Sequence, residues 1–229
     1  MSPAKREELF RRLAAAIPSP KSELEYTTPY ELLVAVVLSA QATDKSVNLA
    51  TAGLFPIANT PEKIAALGAE GLEKYIRTIG LYRGKAKNVV ALSQLLLDKH
   101  GGEVPRTREE LEALPGVGRK TANVVLNVAF EQLTIAVDTH VFRVANRTRL
   151  APGKDPLEVE TKLLKVTPKK YLRHAHHYLI LHGRYTCLAR KPLCGKCPIY
   201  AQCEFPEKKK FAKEASAPAK AALPKGRDV

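Results

Sequence analysis

Apolar residues recur at positions three and four apart along most of the chain. The clearest runs lie at residues 9–17, 32–37 and 89–96. Such spacing places the apolar side chains on one face of an α-helix. Only residues 133–137 have the β-branched character of a strand, and this segment is too short and too isolated to build a sheet. The pattern predicts an all-α fold with roughly ten helices.

Helix start signals support this interpretation. Thr60 stands directly before Pro61, where a polar side chain caps the helix and a proline fits its first turn. Thr107 and Glu110 have the spacing of a capping box, and Asp155 repeats the arrangement of Thr60 before a second proline. These signals divide the chain into many short helices.

The position of the cysteines suggests two domains. Residues 22–133 contain no cysteine or metal-binding pattern, and we expect them to form a six-helix domain. Residues 134–206 contain all four cysteines, and we expect them to form the second domain with residues 1–21, whose pattern fits either part. Residues 207–229 lack apolar periodicity, so they cannot bury enough surface to offset chain entropy. We expect them to form a disordered basic tail.

The chain is strongly basic, with a formal net charge of +14 and a pI near 9.7. Residues 207–229 hold six lysines and one arginine against three carboxylates, a net +4 that leaves +10 for residues 1–206. A basic body favours a polyanionic partner, because clustered cations release counterions from a phosphate backbone. A charged surface that only confers solubility is the competing interpretation.

The chain shows no sign of membrane insertion or export. No apolar run approaches the length of about 20 residues that spans a bilayer. Charged residues interrupt the first apolar pattern, so residues 1–23 lack the core and cleavage site of a secretory signal. We expect no membrane partner and a cytoplasmic location in a reducing compartment.

Four cysteines are the most specific chemical feature of the sequence. Cys187, Cys194, Cys197 and Cys203 lie within 17 residues, with gaps of six, two and five residues. Disulfides are the alternative, but no export signal accompanies the cysteines and close neighbours seldom bridge each other. Four thiolates on one loop fit a tetrahedral metal ion or an iron-sulfur cluster, and the spacing does not separate zinc from iron.

Two adjacent cations lie inside the longest gap between these cysteines. A loop held by a metal would fix Arg190 and Lys191, so that binding a phosphate would cost them less entropy. Two solvated charges on a loop remain the other interpretation.

A glycine-rich turn precedes the helix predicted for residues 121–129. Gly116 and Gly118 would allow close approach of a ligand to the backbone, and the amides at the start of the next helix favour an anion. A DNA phosphate fits such a turn. A plain helix-to-helix connection fits it too.

The segments LPGVGRKTANVVLN and VDTHVFRVANR, followed by the cysteine loop, resemble the endonuclease III family of helix-hairpin-helix DNA glycosylases. The resemblance runs from about Lys5 to Cys203 and includes LSAQATD and GLYRGKA. It implies two helical domains with a DNA cleft between them and the helix-hairpin-helix in residues 22–133. It also implies a [4Fe-4S] cluster on the four cysteines.

The resemblance assigns catalytic roles to Lys120 and Asp138. It implies that Lys120 attacks C1′ of the damaged nucleotide and that Asp138 assists. An amine that displaces the base leaves an imine, which acidifies the 2′ protons and permits β-elimination. A lysine with its usual pKa of about 10.4 is neutral in only about one molecule in 2,500 at pH 7. Burial and the helix dipole would have to lower that pKa.

Further residues match family positions that contact DNA. Gln41 and Leu81 match residues that fill the gap or enter the base stack when the nucleotide is extruded. We also expect the hairpin glycines, Arg143, Arg190 and Lys191 to contact DNA. For the histidine cluster, His174, His176 and His177, we expect packing or phosphate contact and no metal site.

The resemblance predicts a bifunctional glycosylase and abasic-site lyase. We expect double-stranded DNA with an oxidised pyrimidine or an abasic site as its partner, with the protein acting as a monomer at the nucleoid. A glycosylase for mispaired adenine is an alternative, but it would lack Lys120 and would need an acidic residue within residues 32–42. A non-catalytic DNA-binding module is a second alternative, in which Lys120 would be dispensable.

Overall fold

The computed structural model describes residues 1–216, and within them the fold is all-α. The predicted fold class is confirmed. Residues 133–137 form neither a helix nor a strand. No helix within the described residues has the length and apolar character needed to cross a bilayer. The α-helices are α1 (Pro3–Ala16), α2 (Pro29–Leu38), α3 (Asp44–Leu54), α4 (Pro61–Ile76), α5 (Tyr82–His100), α6 (Arg108–Glu112), α7 (Arg119–Phe130), α8 (Thr139–Thr148), α9 (Pro156–Val166), α10 (Leu172–Tyr185) and α11 (Lys208–Ser216).

The sequence signals for helix starts correspond to real caps. Thr60 accepts a hydrogen bond from the amide of Lys63 at the start of α4. Thr107 accepts from the amide of Glu110 in α6, and Asp155 accepts from the amide of Glu158 in α9. Each side chain satisfies an amide that the helix itself leaves unpaired.

Two apolar cores organise the helices. One is built from α2 to α7, and the other from α1, α8, α9 and α10. The N-terminal helix belongs to the second core, where Phe10 stacks on Tyr171 with ring centroids 5.6 Å apart. A smaller cluster of Leu32, Val36, Val124 and Ala136 joins α2 and α7 to the segment that leads into α8.

Ion pairs with a buried carboxylate connect the two groups of helices. Glu160 of α9 is 4% exposed and accepts two hydrogen bonds of 2.9 Å from Arg119 at the start of α7. Arg108 of α6 lies 3.9 Å from the same carboxylate. A paired guanidinium and carboxylate in this forked geometry fix direction as well as distance. The start of α7 is therefore held against α9.

The expectation of a disordered tail is wrong for residues 208–216, which form α11. The helix is anchored by side chains that sequence periodicity does not reveal. Lys208 donates to the carbonyls of Tyr200 and Cys203, and Phe211 stacks on Phe205 with ring centroids 6.2 Å apart. Residues 217–229 lie outside the described part of the chain.

Candidate active site and metal centre

Lys120 is the second residue of α7 and lies half-buried at the wall of an open cavity. Gly118 occupies the N-cap position of this helix and offers no side-chain cap. Among the described residues, the Lys120 ammonium has no hydrogen-bond or ion-pair partner. Burial lowers the pKa of Lys120, and the charge of Arg184 acts in the same direction, while the carboxylates of Asp138 and Asp44 oppose it. The site thus favours the neutral amine.

Asp138 faces the same open cavity as Lys120. It caps α8, where its Oδ1 accepts a hydrogen bond of 2.8 Å from the amide of Val141. The cap fixes the direction of the carboxylate and leaves Oδ2 without a partner among the described residues. Both residues predicted as catalytic therefore meet at one cavity, although they are separated by a helix and a connecting segment in the chain.

An ionic network next to Lys120 was not predicted from the sequence. Arg184 of α10 pairs with Glu23 and with Asp44 at the start of α3, and Tyr185 donates a hydrogen bond to Glu23. Asp44, Arg184 and Lys120 line the same two adjoining cavities. Glu23 and Asp44 are 161 and 140 positions away from Arg184, so no local sequence pattern could have revealed the network.

Gln41 and Leu81 share an unusual backbone conformation. Gln41 has a φ of 53° and Leu81 a φ of 60°, in the left-handed region that costs most residues about 1 kcal/mol or more. Both side chains are exposed, Leu81 to 68%, although leucine is normally buried. Strained backbone and exposed apolar surface are typical of residues that act on a ligand.

A buried lysine ties together the two loops that contain these residues. Lys85 of α5 is 6% exposed, and its Nζ donates a hydrogen bond of 2.9 Å to the carbonyl of Leu38 at the end of α2. Leu38 lies three residues before Gln41, and Lys85 lies four residues after Leu81. This positioning residue was missed in the sequence, because the contact joins positions 47 apart.

The two glycines of the hairpin differ in what they require. Gly116 has a φ of +77°, and a Cβ there would lie 3.0 Å from the Cβ of Asn88. Gly118 has an ordinary φ of −97°, and a Cβ there would meet no protein atom within 4 Å. Gly116 is therefore required by the fold. Gly118 has no internal requirement, which leaves the open space in front of it available to a ligand.

The four cysteines line one small cavity and form no disulfide. No three His, Cys, Asp or Glu side chains in residues 1–216 are arranged to hold a single metal ion. Thiolates around an iron-sulfur cluster stand further apart than the ligands of one zinc ion, because several irons and sulfides fill the space between them. The donor set fits such a cluster. Burial raises the pKa of Cys197 to about 12, a cost that a bound cation offsets by stabilising the thiolate.

Two arginines of α8 fix the cysteine loop by donating hydrogen bonds to backbone carbonyls. Arg147 donates to the carbonyls of Leu188 and Ala189 at 2.6 and 2.5 Å. Arg143 donates to the carbonyls of Cys187 and Gly183 at 2.9 and 2.8 Å. The DNA contact of Arg143 stays a prediction, and its guanidinium already donates hydrogen bonds to backbone carbonyls of the protein.

Arg190 and Lys191 project from the loop that these arginines hold. Both are exposed, and neither has an ion-pair partner among the described residues. The loop therefore presents two uncompensated charges on a fixed backbone. Their predicted contact with DNA stays a prediction.

The histidine cluster is part of the packing, as far as the structure describes it. His176 and His177 are buried, and His176 bonds through Nδ1 to the carbonyl of Ala136 at 2.9 Å. Burial lowers the pKa of His176 to about 4 and that of His177 to about 3. The two rings are thus neutral near pH 7. His174 is half-buried beside Tyr178.

Comparison with known families identifies two segments of the chain. Residues 34–169 match the model of the HhH-GPD superfamily base excision DNA repair protein. Residues 187–203 match the iron-sulfur binding domain of endonuclease III. The second match covers all four cysteines.

Similar proteins extend along nearly the whole chain. Endonuclease III of Haemophilus influenzae is 60% identical over 92% of this chain and 100% of its own length. Endonuclease III of Escherichia coli is 60% identical over 91% of this chain and 99% of its own length. A solved structure of a trapped endonuclease III-DNA covalent intermediate is 47% identical, with a TM-score of 0.86 over 92% of this chain and 98% of that one. A thermostable thymine-DNA glycosylase superposes with a TM-score of 0.80 at 25% identity over 90% of this chain and 98% of that one.

Proposed function

This chain belongs to the endonuclease III family within the HhH-GPD superfamily of base excision DNA repair proteins, and from that premise we propose that Lys120 and Asp138 perform its chemistry. The protein is a bifunctional DNA glycosylase and abasic-site lyase. We further propose that its substrates are oxidised pyrimidines and abasic sites in double-stranded DNA, on which it acts as a monomer. A DNA substrate also supports the expected action at the nucleoid.

The observation that carries this proposal is the state of Lys120. Its amine lies at a cavity without a partner, and burial shifts its pKa toward the neutral form. A neutral amine has the lone pair that nucleophilic attack requires, whereas an ammonium held in an ion pair does not. A relative trapped as a covalent intermediate with DNA supports the same chemistry for this chain.

The reaction follows from one nucleophile. The Nζ lone pair of Lys120 forms a bond to C1′, and the bond from C1′ to the damaged base breaks, with the base leaving as an anion that takes up a proton. Ring opening gives an imine between Lys120 and the sugar. Loss of a 2′ proton then expels the 3′ phosphate by β-elimination. Hydrolysis of the imine returns the free lysine, so that one residue serves both reactions.

Asp138 assists through the carboxylate oxygen that its cap leaves free. Oδ1 is occupied by the amide of Val141, so that the group keeps a fixed orientation. Oδ2 accepts a proton from the attacking amine and balances the positive charge that develops on the sugar. A preoriented carboxylate does this without reorganisation during the reaction.

The iron-sulfur cluster is proposed to shape the binding surface. The cofactor of the family is a [4Fe-4S] cluster, and the four cysteines are its proposed ligands. When bound, the cluster cross-links the segment from Cys187 to Cys203. Arg147 fixes the same loop through its hydrogen bonds to two backbone carbonyls. Arg190 and Lys191 can then contact phosphates at little cost in conformational entropy, because their backbone is already ordered.

Gln41, Leu81 and the hairpin complete the proposed DNA interface. Extrusion of a nucleotide costs a few kcal/mol of stacking and pairing, which inserted side chains offset. Gln41 and Leu81 are exposed on loops that Lys85 holds together. A phosphate of the DNA backbone fits the open space at Gly118, where the amides that begin α7 donate hydrogen bonds to it.

Borohydride trapping tests the proposal. We expect the wild-type protein to form a covalent adduct with duplexes that contain an oxidised pyrimidine or an abasic site, and Lys120→Gln to form none. Lys99→Gln is the matched control, because Lys99 is an exposed lysine of α5. An undamaged duplex and an oxidised purine test the substrate class, and light scattering tests the monomer. Absence of a wild-type adduct would overturn the mechanism.

A further inference from the structure

Helix α11 divides its lysines between two faces. At about 100° per residue, Lys208 and Phe211 lie on one face, and Lys209, Lys210 and Lys213 lie on the other within an arc of about 100°. The first face packs against the protein, with the Lys208 ammonium 4.8 Å from the centre of the Tyr200 ring. The three lysines of the outer face are exposed. We call them the α11 lysines.

Some exposed cations elsewhere in the described chain have carboxylate partners, and the α11 lysines do not. Arg11 and Arg12 share Glu8, and Lys170 pairs with Glu7. None of the α11 lysines has such a pair among the described residues. Three unneutralised charges within about 6 Å of helix axis repel one another, so they favour an anionic partner.

Contacts through two aromatic rings connect α11 to the proposed DNA-binding loop. Phe211 stacks on Phe205, and the Arg147 guanidinium lies 5.1 Å from the centre of the Phe205 ring. Arg147 also donates to the carbonyls of Leu188 and Ala189, directly before Arg190 and Lys191. Helix α11 therefore contacts, through Phe205, the same arginine that holds the loop, and the α11 lysines add positive charge to this part of the protein.

We propose that the α11 lysines bind the phosphate backbone of duplex DNA on one flank of the lesion. The proposal rests on the proposed function, because it extends the DNA surface of the cysteine loop. The Lys210 ammonium lies 5.8 Å from the centre of the Phe211 ring, a weak contact that does not neutralise its charge. The helix is already ordered, so that phosphate contact costs little further entropy. Each contact releases counterions, which makes this part of the binding free energy depend on salt.

The experiment measures how the affinity of the full-length, cluster-containing protein for DNA varies with salt. The probe is a long duplex that contains an uncleavable abasic-site analogue. The test variant combines Lys209→Gln, Lys210→Gln and Lys213→Gln, and the matched control combines Lys63→Gln, Lys74→Gln and Lys99→Gln on α4 and α5. We expect the test variant to lower the slope of log affinity against log salt by about 1 per lysine, and the control to keep the wild-type slope.

Two further measurements separate this proposal from the proposed function. The single-turnover excision rate at saturating protein should equal that of the wild type, because the α11 lysines are not at the cavity of Lys120. Trimming the duplex on one flank should remove the difference between wild type and test variant. A test variant with the slope of the control, or an effect independent of both flanks, would overturn the proposal. A wild type that forms no adduct would instead contradict the proposed function.

Discussion

The starts of α5 and α7 resemble each other and differ from most other helix starts in the described chain. Seven of the α-helices begin with a serine, threonine or aspartate whose side chain caps the first turn. Helix α5 begins after Leu81 and helix α7 after Gly118, and neither has a side-chain cap. Both first turns contain a lysine whose pKa is lowered by burial, Lys85 in α5 and Lys120 in α7.

The difference between the two lysines lies in their partners. The Lys85 amine donates to the carbonyl of Leu38, whereas the Lys120 amine faces an open cavity without a partner. Burial of a lysine is therefore not sufficient to identify it as a nucleophile. A reactive lysine also needs free space in front of Nζ and no acceptor that holds its proton. Lys85 therefore has a structural role, whereas the amine of Lys120 is free to react.

The largest expected effect is the loss of activity in Lys120→Met, for which Lys85→Met is the comparison. Lys120→Met should lose the adduct and slow strand cleavage by at least about 1,000-fold, because no other group supplies the nucleophile. Lys85→Met should still form an adduct at an abasic site. Borohydride trapping under single-turnover conditions measures both. Equal losses in the two variants would contradict the distinction between them.

The pH dependence of trapping sharpens the same comparison. The reactive form of Lys120 is the neutral amine, so the rate should rise with pH and level off above its pKa. Because burial lowers that pKa, the inflection should fall below the value of 10.5 that an exposed lysine shows. The rate of Lys85→Met should have the same inflection. An inflection at or above 10.5 would show that the amine is not activated.

The helix starts and the proposed catalytic pair could be identified from the sequence because their signals are local. The caps at Thr60, Thr107 and Asp155 stand beside the helices they start, and Lys120 follows a hairpin motif. Helix α11 was not predicted, because its anchors lie on a loop that the cysteines shape. The pairing of Arg184 with Asp44 was missed for the same reason, since it exists only once α3 and α10 have packed.

The next effect in size is expected from loss of the hydrogen bond between Lys85 and Leu38. Lys85→Met removes a charge-assisted hydrogen bond and leaves the Leu38 carbonyl without this donor. The free energy of unfolding should therefore fall by about 1–3 kcal/mol. Excision from a fully paired duplex should fall roughly tenfold, because the loops of Gln41 and Leu81 lose their common support. Denaturant unfolding and single-turnover excision measure the two effects. A drop in stability without any loss of excision would limit Lys85 to a structural role.

A smaller effect is expected at Leu81, where strain and function coincide. Leu81→Asn keeps the left-handed backbone at lower cost, so stability should stay equal or rise by up to about 1 kcal/mol. Excision should slow on a paired duplex and recover when the lesion lies in a mismatched bubble, where no stack has to be opened. Arg149→Asn is the control, because Arg149 has a φ of 58° at the end of α8. It should gain the same stability and keep full activity.

The smallest effect should come from one methyl group at the start of α7. Gly118→Ala adds a Cβ that meets no protein atom within 4 Å at a φ of −97°, so the free energy of unfolding should not change. If a phosphate occupies that space, DNA affinity should fall roughly 5- to 10-fold, about 1 kcal/mol. Gly84→Ala tests the start of α5, where a Cβ is equally free of contacts. Loss of affinity at Gly118 alone would place the phosphate on the hairpin, whereas unchanged affinity in both variants would leave the open space at Gly118 unexplained.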